Sequence, residues 1–332
     1  MNFLVITTIN KPTTAIIQYQ DILLKSGWKI IIVGDKKTPQ EFADFPGVDY
    51  LSIERQLELF GELASLIPFN HYARKNLGYL YAMNLGATFI AETDDDNIPY
   101  LERYPNFLPA RIKVPLLEEQ GAANIYSYFT DRIVWPRGLP LDKIKTPVNF
   151  DLIEEQEVSC YIQQGLADRD PDVDAIYRLT LANEDVIFAA DKKLALAEKC
   201  YCPFNSQNTC FYKEAFPFML LPVGVSSRVT DIWRGYIAQK LLWCMGAHLL
   251  FLSPSVYQIR NIHNLVKDFN EEVPLYTQAQ ELMNLLNDFT PPVTSACDLM
   301  LAVYDYLQGH KLLSEIELKL CQLWIAEVKN YL

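Results

Sequence analysis

The sequence predicts an α/β fold, a mixed and mainly parallel sheet flanked by helices, with a helical appendage at its C-terminal end. Three observations carry this reading. Short apolar runs alternate with helix-patterned segments from Phe3 to Ala91. Half of the 332 residues are apolar and 12% are aromatic, enough to bury a large core and to exclude wholesale disorder. From about Asn270 onward the alternation gives way to successive helical runs. At about 150 residues per domain the length allows roughly two domains, or one large domain with an appendage. The expected division is an α/β domain over 1–268 and a helical region over 269–332.

The elements follow in order. Phe3 to Thr8 reads as a buried strand, and Pro12 suits the first turn of a helix. Ala15, Ile16, Tyr19, Ile22 and Leu23 then recur at helical spacing, and Gly27 supplies the stop. Trp28 to Val33 is a second apolar strand ending at Gly34-Asp35. Strand, helix and strand with short joints imply a parallel pair with a right-handed crossover. Val48 to Ile53 reads as a third strand and Asn70 to Gly86 as a helix. Ala87 to Ala91 is a fourth strand, running straight into Thr93-Asp94-Asp95-Asp96-Asn97. From Tyr100 to Asp174 periodicity is weak, with Asn124 to Phe129 strand-like. Ile176 to Leu179 and Tyr201 to Tyr212 read as strands or loops around a cleft, and Asp231 to Leu242 as an amphipathic helix. The tail has helical runs over Tyr276 to Leu286, Ala296 to Leu307 and Ser314 to Leu332. Their apolar stripes suit either covering the sheet or joining a second copy in a homo-oligomer.

Charge narrows the partners. Lys and Arg number 29 against 41 Asp and Glu, a net charge of −12. Such a chain is repelled by a phosphate backbone, so nucleic acid is not expected as a partner. An anionic small ligand needs a local cation or metal to hold it. The N-terminus lacks a basic n-region, and no run approaches the roughly 18–20 apolar residues that cross a bilayer. Neither a signal peptide nor an integral membrane segment is expected. Seven cysteines at irregular spacings read as free thiols of a reducing compartment, so the expected localisation is cytoplasmic.

Parallel α/β sheets bind ligands at the carboxyl ends of their strands. Thr7, Asp35 and Asp94 to Asp96 all fall there. Three adjacent carboxylates raise one another's pKa, and either solvent or a bound cation relieves them. Mg²⁺ and Mn²⁺ take oxygen ligands and keep open positions for substrate phosphates. A solvated acidic turn is the bland alternative. Arg74-Lys75-Asn76 suits a residual negative charge on a diphosphate, or is simply a solvated basic face. Asp35 is a candidate ribose or base contact, or a turn-former. Thr230 or Asp231 caps the adjoining helix, or else Asp231 is a carboxylate poised to deprotonate a hydroxyl. His263 is a candidate metal ligand or a structural histidine.

Several motifs together resemble one family. Arg74-Lys75-Asn76-Leu77-Gly78-Tyr79, Glu92-Thr93-Asp94-Asp95-Asp96-Asn97 and Trp135-Pro136-Arg137-Gly138-Leu139-Pro140 are similar to the GT-A-type glycosyltransferase domain of the STELLO (DUF288) proteins. So are Asp172-Val173-Asp174-Ala175-Ile176-Tyr177-Arg178-Leu179 and Asn205-Ser206-Gln207-Asn208-Thr209. The run Arg228-Val229-Thr230-Asp231-Ile232-Trp233-Arg234-Gly235-Tyr236-Ile237-Ala238-Gln239 is the longest and most specific of these motifs. The likeness spans about residues 3 to 265; more distantly the N-terminal half resembles the UDP-arabinopyranose mutases. The resemblance implies a Rossmann-like nucleotide-sugar fold with a DxD metal site. It implies Mn²⁺ or Mg²⁺ on Asp96 and Asp94, with His263 joining the metal. It also implies donor contacts from Thr7, Thr8, Asp35, Arg74, Asp94 and Asp95, and Asp231 as the base. The expected reaction is inverting transfer of a sugar from a nucleotide sugar, UDP-linked, to a glycan or other hydroxyl acceptor. The alternatives are a non-catalytic nucleotide-sugar-binding scaffold and a sugar-nucleotide mutase.

Overall fold

The computed structural model describes residues 1–151, 153–182, 184–260 and 264–332. Short apolar runs make the first strands, most continuous in the two that are buried on both faces. They are β1 (Asn2–Thr7), β2 (Lys29–Val33), β3 (Val48–Leu51) and β4 (Phe89–Asp94). They pair in parallel, with β1 between β2 and β4 and with β3 outside β2. The connections carry α1 (Thr14–Leu23), α2 (Ile53–Leu66) and α3 (Lys75–Asn84). Thr13 caps α1 through its side chain, so Pro12 lies outside the helix rather than in its first turn. Gly27, at φ 74°, ends the turn after α1. The expected helix over Asn70 to Gly86 is shorter: Tyr72–Arg74 form a 3₁₀ turn and α3 begins at Lys75.

Beyond the acidic turn lie β5 (Asn97–Pro99), β6 (Arg111–Leu117), β7 (Gly121–Ala122), β8 (Glu154–Ser159) and β9 (Ile162–Arg169). They are followed by β10 (Lys193–Leu196), β11 (Cys200–Tyr201), β12 (Asn208–Tyr212) and β13 (Leu249–Gln258). One mixed sheet runs β3-β2-β1-β4-β12-β9-β13-β10-β6-β8, with β5 on β13; β7 and β11 form a separate pair. Two expected strand-like segments are helical instead. Tyr126–Phe129 form the short α4, and Ala175–Thr180 form α5, whose cap Asp174 accepts from the Tyr177 N–H at 2.8 Å. That cap bond gives the backbone a local alternative to strand pairing.

The second half is carried by α6 (Thr230–Cys244), α7 (Leu265–Asp288), α8 (Ala296–Gly309) and α9 (Glu315–Val328). The expected amphipathic α6 is buried on nearly every face, because the sheet side and the C-terminal helices enclose it. The C-terminal helices share one continuous apolar core with β1, β2 and α3, so their apolar stripes cover the domain. All seven cysteines are free. Among the described residues no helix is long and apolar enough to cross a membrane. The α/β architecture with a helical C-terminal region is the one the sequence predicts.

Two close packings set the position of the site. A Cβ on Gly78 would lie 2.4 Å from Val33 and 2.6 Å from Val5, so α3 presses directly on β2 and β1. A Cβ on Gly235 would lie 2.6 Å from the Phe204 carbonyl, so α6 presses on the 203–207 segment. Only glycine permits either approach without displacing its neighbour.

Candidate functional site

A cleft of about 690 Å³ opens at the carboxyl ends of β1, β2 and β4. It gathers Thr7, Thr8, Asp35, Arg74, Asp94, Asp95, Asp96 and Asp231, eight of the nine residues singled out from sequence. The ninth, His263, lies outside the described residues.

The acidic turn follows from register. Thr7 is paired with Asp94 across β1 and β4, which carries the acids to the cleft floor. The three carboxylates then diverge. Asp94 Oδ1 accepts from the Tyr72 hydroxyl at 2.6 Å and from Lys75 Nζ at 3.1 Å. Asp95 Oδ2 accepts from Thr8 Oγ1 and from Asn10 Nδ2. The Asp96 carboxylate accepts from Gln258 Nε2 at 3.0 and 3.1 Å. Burial pushes the Asp96 carboxyl up to about 7, with the charge of Asp94 adding to the rise. Burial likewise raises Asp95, against the hydrogen bonds of Thr8 and Asn10. Excess negative charge of this kind suits a divalent cation, and the donors are the hard oxygens that Mg²⁺ and Mn²⁺ prefer. Asp94 and Asp96 could hold such an ion with water and phosphate completing its shell. Among the described residues, no group of three or more His, Cys, Asp and Glu forms a ready-made metal cage.

The basic residue on this turn is Lys75. Arg74 lines the cleft, but its Nε donates to Gln56 Oε1 at 2.9 Å and its Nη1 to the Ala64 and Ile67 carbonyls. Its guanidinium thereby braces α2 against the turn before α3. Lys75 is fully buried and spans the Tyr72 hydroxyl, the Thr93 carbonyl at 2.8 Å and Asp94. Three-residue spacing places Tyr72 and Lys75 on one side, which is the signal that could have singled out the pair. Asp35 stands at the end of β2. Its Oδ1 accepts from the Lys36 N–H at 2.6 Å and its carbonyl from the Thr38 N–H, so it shapes a turn as it lines the cleft.

On the opposite wall Asp231 is buried in the first turn of α6. Neither Thr230 nor Asp231 caps the helix; the cap position falls on Val229. Thr230 donates to the Pro222 carbonyl, and Asp231 faces Arg137 at 3.0 Å. Arg137 forks the other way onto Asp172 with two 2.8 Å bonds. Ser206 adds its N–H at 3.3 Å and its hydroxyl at 3.2 Å to Asp231 Oδ2. Burial alone would raise the Asp231 carboxyl; the charge and bonds of Arg137, with Arg234 and Ser206 helping, hold it below the usual range. Beneath both walls Arg234 grips Glu92 at 2.6 and 3.1 Å, tying α6 to β4. Arg137, Ser206 and Gln258 stand in sequence without an acid or metal motif of their own, and only topology reveals their place.

Comparison with known proteins agrees with the resemblance read from the motifs. The model of a family described as STELLO glycosyltransferases matches residues 228–331. Two curated relatives from Arabidopsis thaliana carry the names Probable glycosyltransferase STELLO2 and Probable glycosyltransferase STELLO1. They are 27% and 28% identical to this chain across 98% of its length. The chain covers 44% of the length of each relative. It is thus similar to the STELLO proteins over almost all of its own residues.

Proposed function

We propose that this chain is a metal-dependent glycosyltransferase that moves a sugar from a nucleotide-sugar donor, UDP-linked, to a hydroxyl acceptor with inversion. One observation carries the reading: a single cleft at the strand ends joins an edge lined by Thr7, Thr8 and Asp35, an acidic turn and a buried carboxylate on the facing wall. The names of the STELLO relatives support the transferase class. Thr7, Thr8 and Asp35 would meet base and ribose. Asp94 and Asp96 would hold Mn²⁺ or Mg²⁺ against the diphosphate, with His263 a proposed further ligand. When bound, the ion supplies Lewis-acid stabilisation of the charge developing on the leaving diphosphate.

Arg137 holds the Asp231 carboxyl below its usual range and so favours the ionised form that a base requires. The acceptor oxygen would attack the anomeric carbon, the bond from that carbon to the diphosphate oxygen would break, and Asp231 would take the acceptor's proton. Arg137 keeps Asp231 ionised but weakens it as a base. That hold favours a second reading, a nucleotide-sugar-binding protein without transfer.

A thermal-shift panel of nucleoside diphosphates and nucleotide sugars, each with and without Mn²⁺, tests the donor site. A ligand that binds only the folded state raises the melting temperature by mass action. The expected result is a shift with uridine nucleotides that needs Mn²⁺ and vanishes in Asp96→Ala. Shifts that ignore Mn²⁺ or survive Asp96→Ala would refute the site. Transfer that persists undiminished in Asp231→Asn would remove Asp231 from the mechanism.

A further inference from the structure

The Tyr72 hydroxyl stands between the two acidic centres. It lies 2.6 Å from Asp94 Oδ1 on one side and 2.6 Å from Ser206 Oγ on the other. Lys75 Nζ donates to the same oxygen at 2.5 Å. Ser206 Oγ in turn reaches Asp231 Oδ2 at 3.2 Å. A phenol has one proton to give. Tyr72 can give it to Asp94 or to Ser206, not to both, while Lys75 takes up one lone pair of the oxygen.

The two choices have different consequences. With the proton toward Asp94, Ser206 is left to donate to either Tyr72 or Asp231. With the proton toward Ser206, donors run without a break from Lys75 through Tyr72 and Ser206 onto Asp231. We propose that Tyr72 is a positioning residue, a hydrogen-bond switch that couples the occupancy of the acidic turn to the hold on Asp231. A cation and diphosphate engaging Asp94 compete with Tyr72 for that carboxylate, so the hydroxyl turns to Ser206 and commits Ser206 to Asp231. No group gains or loses a proton in this exchange. The switch rests on the proposed donor site for its trigger, yet its wiring is a property of the free protein and is tested there first.

That test is a set of urea unfolding equilibria on the metal-free protein. Asp94→Ala, Ser206→Ala and their combination are compared, each with Tyr72 and with Tyr72→Phe. With Tyr72 present, each single loss is cushioned because the hydroxyl turns to the acceptor that remains. The combined loss is therefore expected to exceed the product of the single effects on the unfolding constant by at least about threefold. In the Tyr72→Phe background the effects multiply to within about twofold. Simple multiplication in both backgrounds overturns the switch.

A second arm uses near-isosteric variants: UDP affinity in the presence of Mn²⁺ for Asp231→Asn, with Tyr72 or with Tyr72→Phe, each compared on the fraction that is folded. The expected change is at least about threefold with Tyr72 and under about twofold once the hydroxyl is removed. Equal changes in both overturn the coupling to Asp231. If UDP binds none of these proteins while the unfolding effects exceed their product, the donor assignment and the trigger it supplies fall, and the hydrogen-bond wiring of Tyr72 stands.

Discussion

The two walls of the cleft hold the same side chain in opposite electrostatic states. On the acidic turn, Asp94 has the Lys75 ammonium, while Asp96 meets the neutral amide of Gln258 and the charge of Asp94; burial with that charge pushes Asp96 up to about 7. On the α6 wall, Asp231 is buried more deeply than the half-buried acids of the turn, yet the Arg137 guanidinium holds it below its ordinary range. Asp174 makes a third case. It accepts from the Tyr177 N–H and from the Trp135 indole at 2.7 Å, yet burial still pushes it up to about 6. Hydrogen bonds alone do not replace a cation when a carboxylate is buried. On the proposed reading the acidic turn receives its cation from outside, whereas Asp231 already has the Arg137 guanidinium.

The contrast can be broken by substitution. The largest effect is expected for Asp231→Asn, which should lower sugar transfer by about 10²–10⁴-fold, the usual range for loss of a general base. Transfer assays with a UDP-sugar donor check it, and an unchanged rate would leave Asp231 a structural partner of Arg137. Next, Arg137→Leu should destabilise the fold by about 3–5 kcal/mol in urea, because Asp172 and Asp231 lose their shared counter-ion inside the protein. A loss under about 1 kcal/mol would show that the two acids do not depend on it. By contrast, Asp96→Asn should stabilise the metal-free protein by about 1 kcal/mol at pH 8, since it removes a charge strained by burial and by the nearby charge of Asp94. Destabilisation there would erase the distinction between the two walls.

The smallest effect sharpens the third case. Asp174 has a folded pKa of about 6, above its unfolded value, so the folded state binds that proton more tightly. Its contribution is complete below the unfolded pKa and is lost as pH rises through about 6. Melting temperatures from pH 4 to 7 should therefore fall less steeply for Asp174→Asn than for the wild type. Equal slopes would show that Asp174 is not the titrating group.

The strand-end side of the cleft was legible in sequence because its physics is local. Buried parallel strands are continuous apolar runs, and the residues just past each run sit at the ligand-binding edge. Thr7, Asp35 and the three aspartates could be placed on that rule alone. The facing wall obeys no such rule. Arg137, Asp172, Ser206 and Asp231 come from four separate segments that only the mixed half of the sheet brings together. That half hides its strands. β8 reads Glu-Glu-Gln-Glu-Val-Ser, an edge strand with ion pairs from Glu157 to Arg111 at 2.7 Å and from Glu155 to Lys113 at 3.7 Å across the ladder. The same limit explains the basic motif. Sequence picked out Arg74, but helix geometry turns Arg74 toward Gln56 and sends its neighbour Lys75 to Asp94.

The most direct measurement is a crystal soaked with Mn²⁺ and UDP, with the anomalous signal of manganese recorded. The predicted result is a manganese peak bridging Asp94, Asp96 and the diphosphate, with the uridine toward Thr7, Thr8 and Asp35. Manganese and nucleotide bound elsewhere, with the three aspartates still turned to Tyr72, Thr8 and Gln258, would contradict it.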